Sequence, residues 1–152
     1  MAHSYITVNT LISERTLCVT DSILHVFMYF FNDEANKLNI SPKKRIIIDH
    51  YELELNELNT SFIDLKLNDV YSEIELKKWY LLILEKINIS ISSFGTLIAA
   101  DYLNNVKGLK KQFNKPIPVV KINNLIKDLT WILNEDINTP SEEYKWYEKP
   151  NH

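Results

Sequence analysis

With 152 residues, the chain is long enough to bury a core of ordinary size without disulfides, and a content of 45% apolar and 24% charged residues argues against a disordered or membrane-spanning chain. Its longest apolar stretch, Ile23 to Phe31, is nine residues with His25 inside it, far short of the ~20 that a membrane-spanning helix needs, and a net charge of −3 argues against a dedicated nucleic-acid binder. Two glycines, Gly95 and Gly108, cannot build a P-loop, a dinucleotide fingerprint or a glycine-rich lid, and the single cysteine, Cys18, cannot form an internal disulfide.

The N-terminus lacks the basic start, unbroken apolar region and small-residue cleavage site of a signal peptide, which points to the cytoplasm, where Cys18 reads as a small buried apolar residue. Scarce glycine also disfavours hairpins, which use it for positive backbone angles. Asn39, Asn68, Asn88, Asn114 and Asn138 sit where helices would end and can take left-handed positions there.

In chain order, residues 4–19 alternate loosely and read as a strand or, after Thr10, a short helix. A cap at Thr20 or Asp21 opens a helix to about residue 38, with Ile23, Leu24, Phe27, Phe30, Phe31 and Leu38 at three-and-four spacing. Ser41 as N-cap and Pro42 at the first helical position start a long second helix through Ile47, Tyr51, Leu55, Leu58, Phe62 and Leu65. The competing reading makes 46–55 a strand with a hairpin around Asn59. Ser72 and Glu75 form a capping box before Leu76, Trp79, Tyr80, Ile83, Leu84 and Ile87, which make the central helix. Ser92 or Ser93 starts the next, carrying Phe94, Leu97, Ile98, Tyr102, Val106 and Leu109, and the NKPIPV breaker at 114–119 separates it from an amphipath with its stripe on Ile122, Leu125, Ile126, Leu129, Ile132 and Leu133. Thr139, Pro140 and Glu142 would cap a short C-terminal helix or hook.

KLNIS at 37–41 recurs as KINIS at 86–90, each placed to close one helix and open another, which would make stacked helical hairpins of HEAT type. The resulting expectation is a single, mainly α-helical domain over residues 1–152, an irregular bundle or a short helical-hairpin array with a minor β element. Residues 1–19 are its uncertain N-terminal segment and 139–152 its tail.

No constellation announces chemistry, so no cofactor, metal or catalytic residue is expected. His50 and Glu54 share a helix face with Asp49 and Glu57 nearby, a set that could in principle hold a metal or exchange protons, but a solvated acidic face with an incidental histidine accounts for it better. Charge is divided along the chain. Nine acids stand against three lysines between Asp49 and Glu85, while six lysines and no acid lie between Tyr102 and Lys127.

The acidic helix face of Asp49, Glu52, Glu54 and Glu57 suits electrostatic capture of a basic protein. Tyr144, Trp146 and Tyr147 in the tail are candidate interface anchors, with docking on the chain's own core as the plainer role. The leading expectation is therefore a non-catalytic protein-binding module. Small, acidic, cysteine-poor chains without a catalytic motif share the profile of bacterial immunity proteins and phage-type inhibitors, which occlude the cleft of a toxin, effector or nuclease. Two rivals remain: an enzyme or small-ligand-binding domain with a pocket near Trp79, Tyr80 and Tyr102, and a nucleic-acid accessory protein using Lys107, Lys110, Lys111, Lys115 and the rest of the basic segment to Lys127 around Phe113.

Overall fold

Alternation of buried and exposed side chains builds two strands at the N-terminus of the computed structural model, which describes residues 2–57 and 62–151. Strand β1 (His3–Asn9) turns Ser4, Ile6 and Val8 inward, and β2 (Ser13–Thr20) turns Ser13, Arg15, Leu17 and Val19 inward. They pair antiparallel with Asn9 opposite Glu14. The hairpin closes without glycine: Thr10 N donates to Ser13 O at 2.8 Å, and the Thr10 hydroxyl accepts from Ser13 N at 3.1 Å while donating to Ser13 O at 2.9 Å. A threonine side chain thus performs the turn-closing role for which glycine scarcity seemed to leave no residue.

Helix α1 (Asp21–Ala35) follows β2 directly and is buried on nearly every side. Helix α2 (Pro42–Asn56) starts as its sequence demands, with Ser41 Oγ accepting from Lys44 N at 3.4 Å and proline in the first turn. Next come α3 (Leu67–Ser72) and α4 (Ile74–Ile91), the latter extended by one 3-10 turn at Ser92–Phe94. Gly95, at φ 77°, then reverses the chain into the short strand β3 (Leu97–Ile98). After α5 (Ala100–Asn105), strand β4 (Ile117–Pro118) pairs with β3 and leads into α6 (Val119–Leu133). The chain returns in β5 (Lys145–Pro150), which pairs with the free edge of β2, so the main sheet has the order β1-β2-β5.

Helices α1, α3 and α6 cover the inner face of this sheet, α4 packs on all three and α2 on α1, and the core lies between them. Phe31 sits at its aromatic centre, 4.6 Å from the ring of Tyr80, 5.1 Å from Tyr51 and 5.5 Å from Trp79, and pairs of this kind each add about 1 kcal/mol beyond their buried area. Among the described residues no helix is long and apolar enough to cross a membrane.

This architecture corrects the mainly helical expectation. Of the described residues 53% are helical and 17% are in two antiparallel sheets, which makes the fold mixed α/β and not a helical bundle or a HEAT-type array. The N-terminal segment is a hairpin, and the expected C-terminal helix is a strand, because KWYEKP alternates about the inward Trp146 and backbone pairing along β2 stabilises it more than a capped single turn would. The second helix stops at Asn56, short of Leu65, and residues 46–55 are helical; the hairpin proposed around Asn59 falls outside the described residues. Ser72 closes α3, its hydroxyl donating to Asp69 O at 3.0 Å, and caps nothing. The KLNIS and KINIS segments are unlike in structure: residues 37–41 join α1 to α2, whereas 86–90 lie within α4. Cys18 is half-buried on the outer face of the sheet, opposite Tyr5.

His25 on α1 is 6% exposed, and its Nδ1 has no partner. Burial, then the charge of Lys111, holds its imidazole below its ordinary value of 6.5, with Asp21 opposing. A base whose pKa falls on folding takes up protons more readily in the unfolded chain, so stability declines as pH drops below about 6.5. The expected result is a melting temperature that falls from pH 7 to pH 5, with a shallower fall in His25→Leu. Equal slopes in the two proteins would place the proton uptake elsewhere.

Candidate functional site

Burial of Ile47, Ile48, Tyr51 and Leu55 fixes one face of α2 on the core and leaves Arg45, Ile46, Asp49, Glu52 and Leu53 in solvent. Asp49 pairs with Arg45 across one turn at 3.6 Å, an exposed contact worth less than about 1 kcal/mol. Glu52 makes no ion pair among the described residues. The large apolar side chains Ile46 and Leu53 flank these acids at 64% and 54% exposure.

Glu54 does not share this face. Its carboxylate accepts from Asp64 N at 3.0 Å, and the neighbouring His50 Nε2 lies 2.6 Å from Asp64 O, so its proton goes to that carbonyl. Both side chains are spent holding the segment at 62–65 against α2, although His50 Nε2 is also 3.9 Å from Glu54. Glu57 lies exposed just past the end of α2. Of the four acids grouped by helical spacing, Asp49 and Glu52 are exposed on α2, Glu54 is engaged by Asp64 N, and Glu57 follows the helix end. Among the described residues no group of three or more histidines, cysteines or acids could hold a metal.

Glu52 opens onto a groove of about 250 Å³ between α2 and the last turns of α1, lined by Tyr29, Asn32, Asp33, Asn36 and Leu55 and bounded by Lys107 and Gly108. Asn32 donates its amide to Ile48 O at 3.0 Å, which leaves the amide oxygen without a partner. Asp33 lies 3.6 Å from Lys37, whose ammonium is closer to Glu34, at 3.0 Å. Burial, then a hydrogen bond with Tyr102, pushes the Tyr29 phenol up to about 12, so it remains a neutral hydrogen-bonding group at neutral pH. Two carboxylates and a phenol against the single cation Lys107, with Leu55 beside them, give the groove an acidic excess that suits a guanidinium or ammonium. The α1 half of this groove went unnoticed in the sequence. Its signal was a polar stripe at Tyr29, Asn32, Asp33 and Asn36, at helical spacing, on an otherwise apolar helix.

The tail aromatics separate in the same way. Tyr144 donates its hydroxyl to Lys121 O at 2.6 Å, and Trp146 packs edge-on against the buried Trp131, ring centres 5.4 Å apart. These two fasten the tail to the body. Tyr147 alone is open, at 49% exposure, on the outer face of the sheet opposite Thr16.

Among the described residues Trp79, Tyr80 and Tyr102 do not meet at one cavity: Trp79 lines a cleft of about 370 Å³ with Leu38, Lys44 and Leu82, which neither tyrosine lines. Tyr80 is sealed in the core against Tyr51, Trp79 is buried beside Phe31, and Tyr102 packs on Phe94 with ring centres 4.9 Å apart. Phe113, expected among exposed lysines, is buried and clamped by Asn104, whose side chain accepts from Phe113 N and donates to Phe113 O, both at 2.7 Å. Comparison with protein-family models, curated proteins and solved structures returns no match.

Proposed function

We propose that this protein is a non-catalytic binding module that captures a basic protein partner on the acidic face shared by α1 and α2. Its most concrete form is an immunity-type inhibitor that occludes the cleft of a toxin or effector. The observation that supports this most is Glu52, which makes no ion pair among the described residues and lines the groove that also holds Asp33, the Tyr29 phenol and Lys107. An arginine or lysine of the partner would enter there, with Asp49 steering its approach and Ile46 and Leu53 supplying apolar contact beside it. Surface acids of this kind act chiefly on the rate of association.

The test compares the wild type with a variant carrying Asp33→Lys, Asp49→Lys and Glu52→Lys. Each is immobilised in lysate from the native organism, proteins retained in stoichiometric amount are identified by mass spectrometry, and binding is repeated with the purified partner. The expected result is a basic protein held by the wild type, with association to the variant slowed at least about tenfold at low salt and an unchanged far-ultraviolet spectrum. Equal association rates for the two proteins would remove the acidic face from the function.

A further inference from the structure

At the opposite end of α1 the electrostatics reverse. Lys111, Lys115 and Lys121 line a cleft of about 400 Å³ where α1 and α6 begin, together with Thr20 at the end of β2, Ser22 and Ile23 of α1, and Phe113, Pro116, Ile117 and Pro118 before α6. No acid lines it, and among the described residues none of the three lysines makes an ion pair. Asp21, adjacent in sequence, accepts a hydrogen bond from Ser4 Oγ at 2.7 Å. We propose that this cleft binds a small phosphate-bearing ligand with an apolar body.

The local fold places all three lysines on this one cleft. Prolines at 116 and 118 keep the approach to α6 extended, and the backbone pairing of Ile117 with Ile98 anchors it, so Lys115 and Lys121 flank a fixed turn. The Asn104 clamp on Phe113 fixes the stretch between Lys111 and Lys115. The first turns of α1 and α6 add to the same field, since neither Thr20 nor Pro118 caps its helix with a side chain. Lys111 also acts on the interior, as its charge helps to keep His25 neutral.

Three uncompensated cations match the charge of a phosphate better than the single charge of a carboxylate. Ile23, Ile117 and the two prolines provide the apolar wall that small-molecule sites use for the rest of a ligand, and the volume lies within the range of such sites. A polynucleotide is the weaker match. Single strands are held by exposed aromatic rings between basic groups, and Phe113, although it lines the cleft, is only 8% exposed.

The test follows backbone amide signals by NMR while inorganic phosphate, adenosine monophosphate, adenosine and a single-stranded RNA are added separately at millimolar concentration in physiological salt. The expected result is movement of Ser22, Ile23, Ile117 and Lys121 with phosphate and, more strongly, with adenosine monophosphate, and none with adenosine. A variant carrying Lys111→Gln, Lys115→Gln and Lys121→Gln, folded by the same spectra, should bind the monophosphate at least about tenfold more weakly. The proposal is overturned if neither phosphate compound moves these amides, if the variant binds as well as the wild type, or if RNA alone binds. The acidic groove plays no part in this experiment, so its outcome is independent of the partner-binding proposal.

Discussion

Replacing Arg15 by methionine is expected to cost about 3 kcal/mol of stability and, at roughly 2–4 °C per kcal/mol for a chain of this size, to lower the melting temperature by about 10 °C. Arg15 is 2% exposed on the inner face of β2. Its Nε donates to Glu148 at 2.8 Å, and its remaining nitrogens donate to Trp131 O at 2.5 Å, Asn134 O at 3.1 Å and Glu135 O at 3.5 Å. The guanidinium also lies over the Trp131 ring, 4.8 Å from its centre. One side chain thereby satisfies the carbonyls left open where α6 ends, places a cation at the negative end of that helix, and ties β5 to β2. Methionine fills much of the volume but leaves those carbonyls without a donor, and this unmet polarity accounts for most of the loss. Arg15→Lys should recover only part of it, because an ammonium cannot span the carbonyls and the carboxylate together. Thermal unfolding followed by circular dichroism checks the series; a methionine variant that melts within about 2 °C of the wild type would mean that the network contributes little.

Arg15 was visible in the sequence as a residue but not as a role. Ser13, Arg15, Leu17 and Val19 occupy alternate positions, and an arginine on the apolar side of such a pattern signals a buried cation with distant partners; those partners lie 116 to 133 residues away, beyond any local spacing rule. The same distance explains why β5 was not foreseen, since it exists through pairing with β2, while the alternation of residues 4–19 left strand and short helix open because Thr10 replaces the glycine that a hairpin usually announces. Helices were more legible because their signals are local: Ser41 and Pro42 set the start of α2, and the stripe from Ile122 to Leu133 set α6. Of the candidate site, Asp49 and Glu52 could be read from helical spacing. The groove beside them could not, because its other wall belongs to α1. Helical spacing also grouped Glu54 with the open acids, and only the packing of residues 62–65 on α2 shows that its carboxylate is already engaged.

That packing is the subject of the second large effect. Tyr51 and Tyr80 are both fully buried, their hydroxyl oxygens 2.6 Å apart, and Tyr51 donates to Leu65 O at 2.8 Å. Since a phenol has one proton, Tyr80 must supply the proton between the two rings. Burial raises both phenols well above their ordinary value, so the pair is neutral at any pH at which the protein is handled. Tyr51→Phe would leave two orphans, the Leu65 carbonyl and the Tyr80 hydroxyl proton, at an expected cost of about 2–4 kcal/mol. Tyr80→Phe removes a donor while Tyr51 keeps its bond to Leu65, and should cost about 1 kcal/mol. The double variant should be no less stable than Tyr51→Phe alone, because removing Tyr80's hydroxyl also removes one of the orphans. Urea unfolding of the three variants measures this directly, and single-variant losses that were equal and additive would exclude the directed chain of hydrogen bonds. With Tyr51, His50 and Glu54 all engaged by residues 64 and 65, the exposed acids within α2 are Asp49 and Glu52. Any electrostatic capture by this helix must act through them and the groove that Glu52 shares with α1.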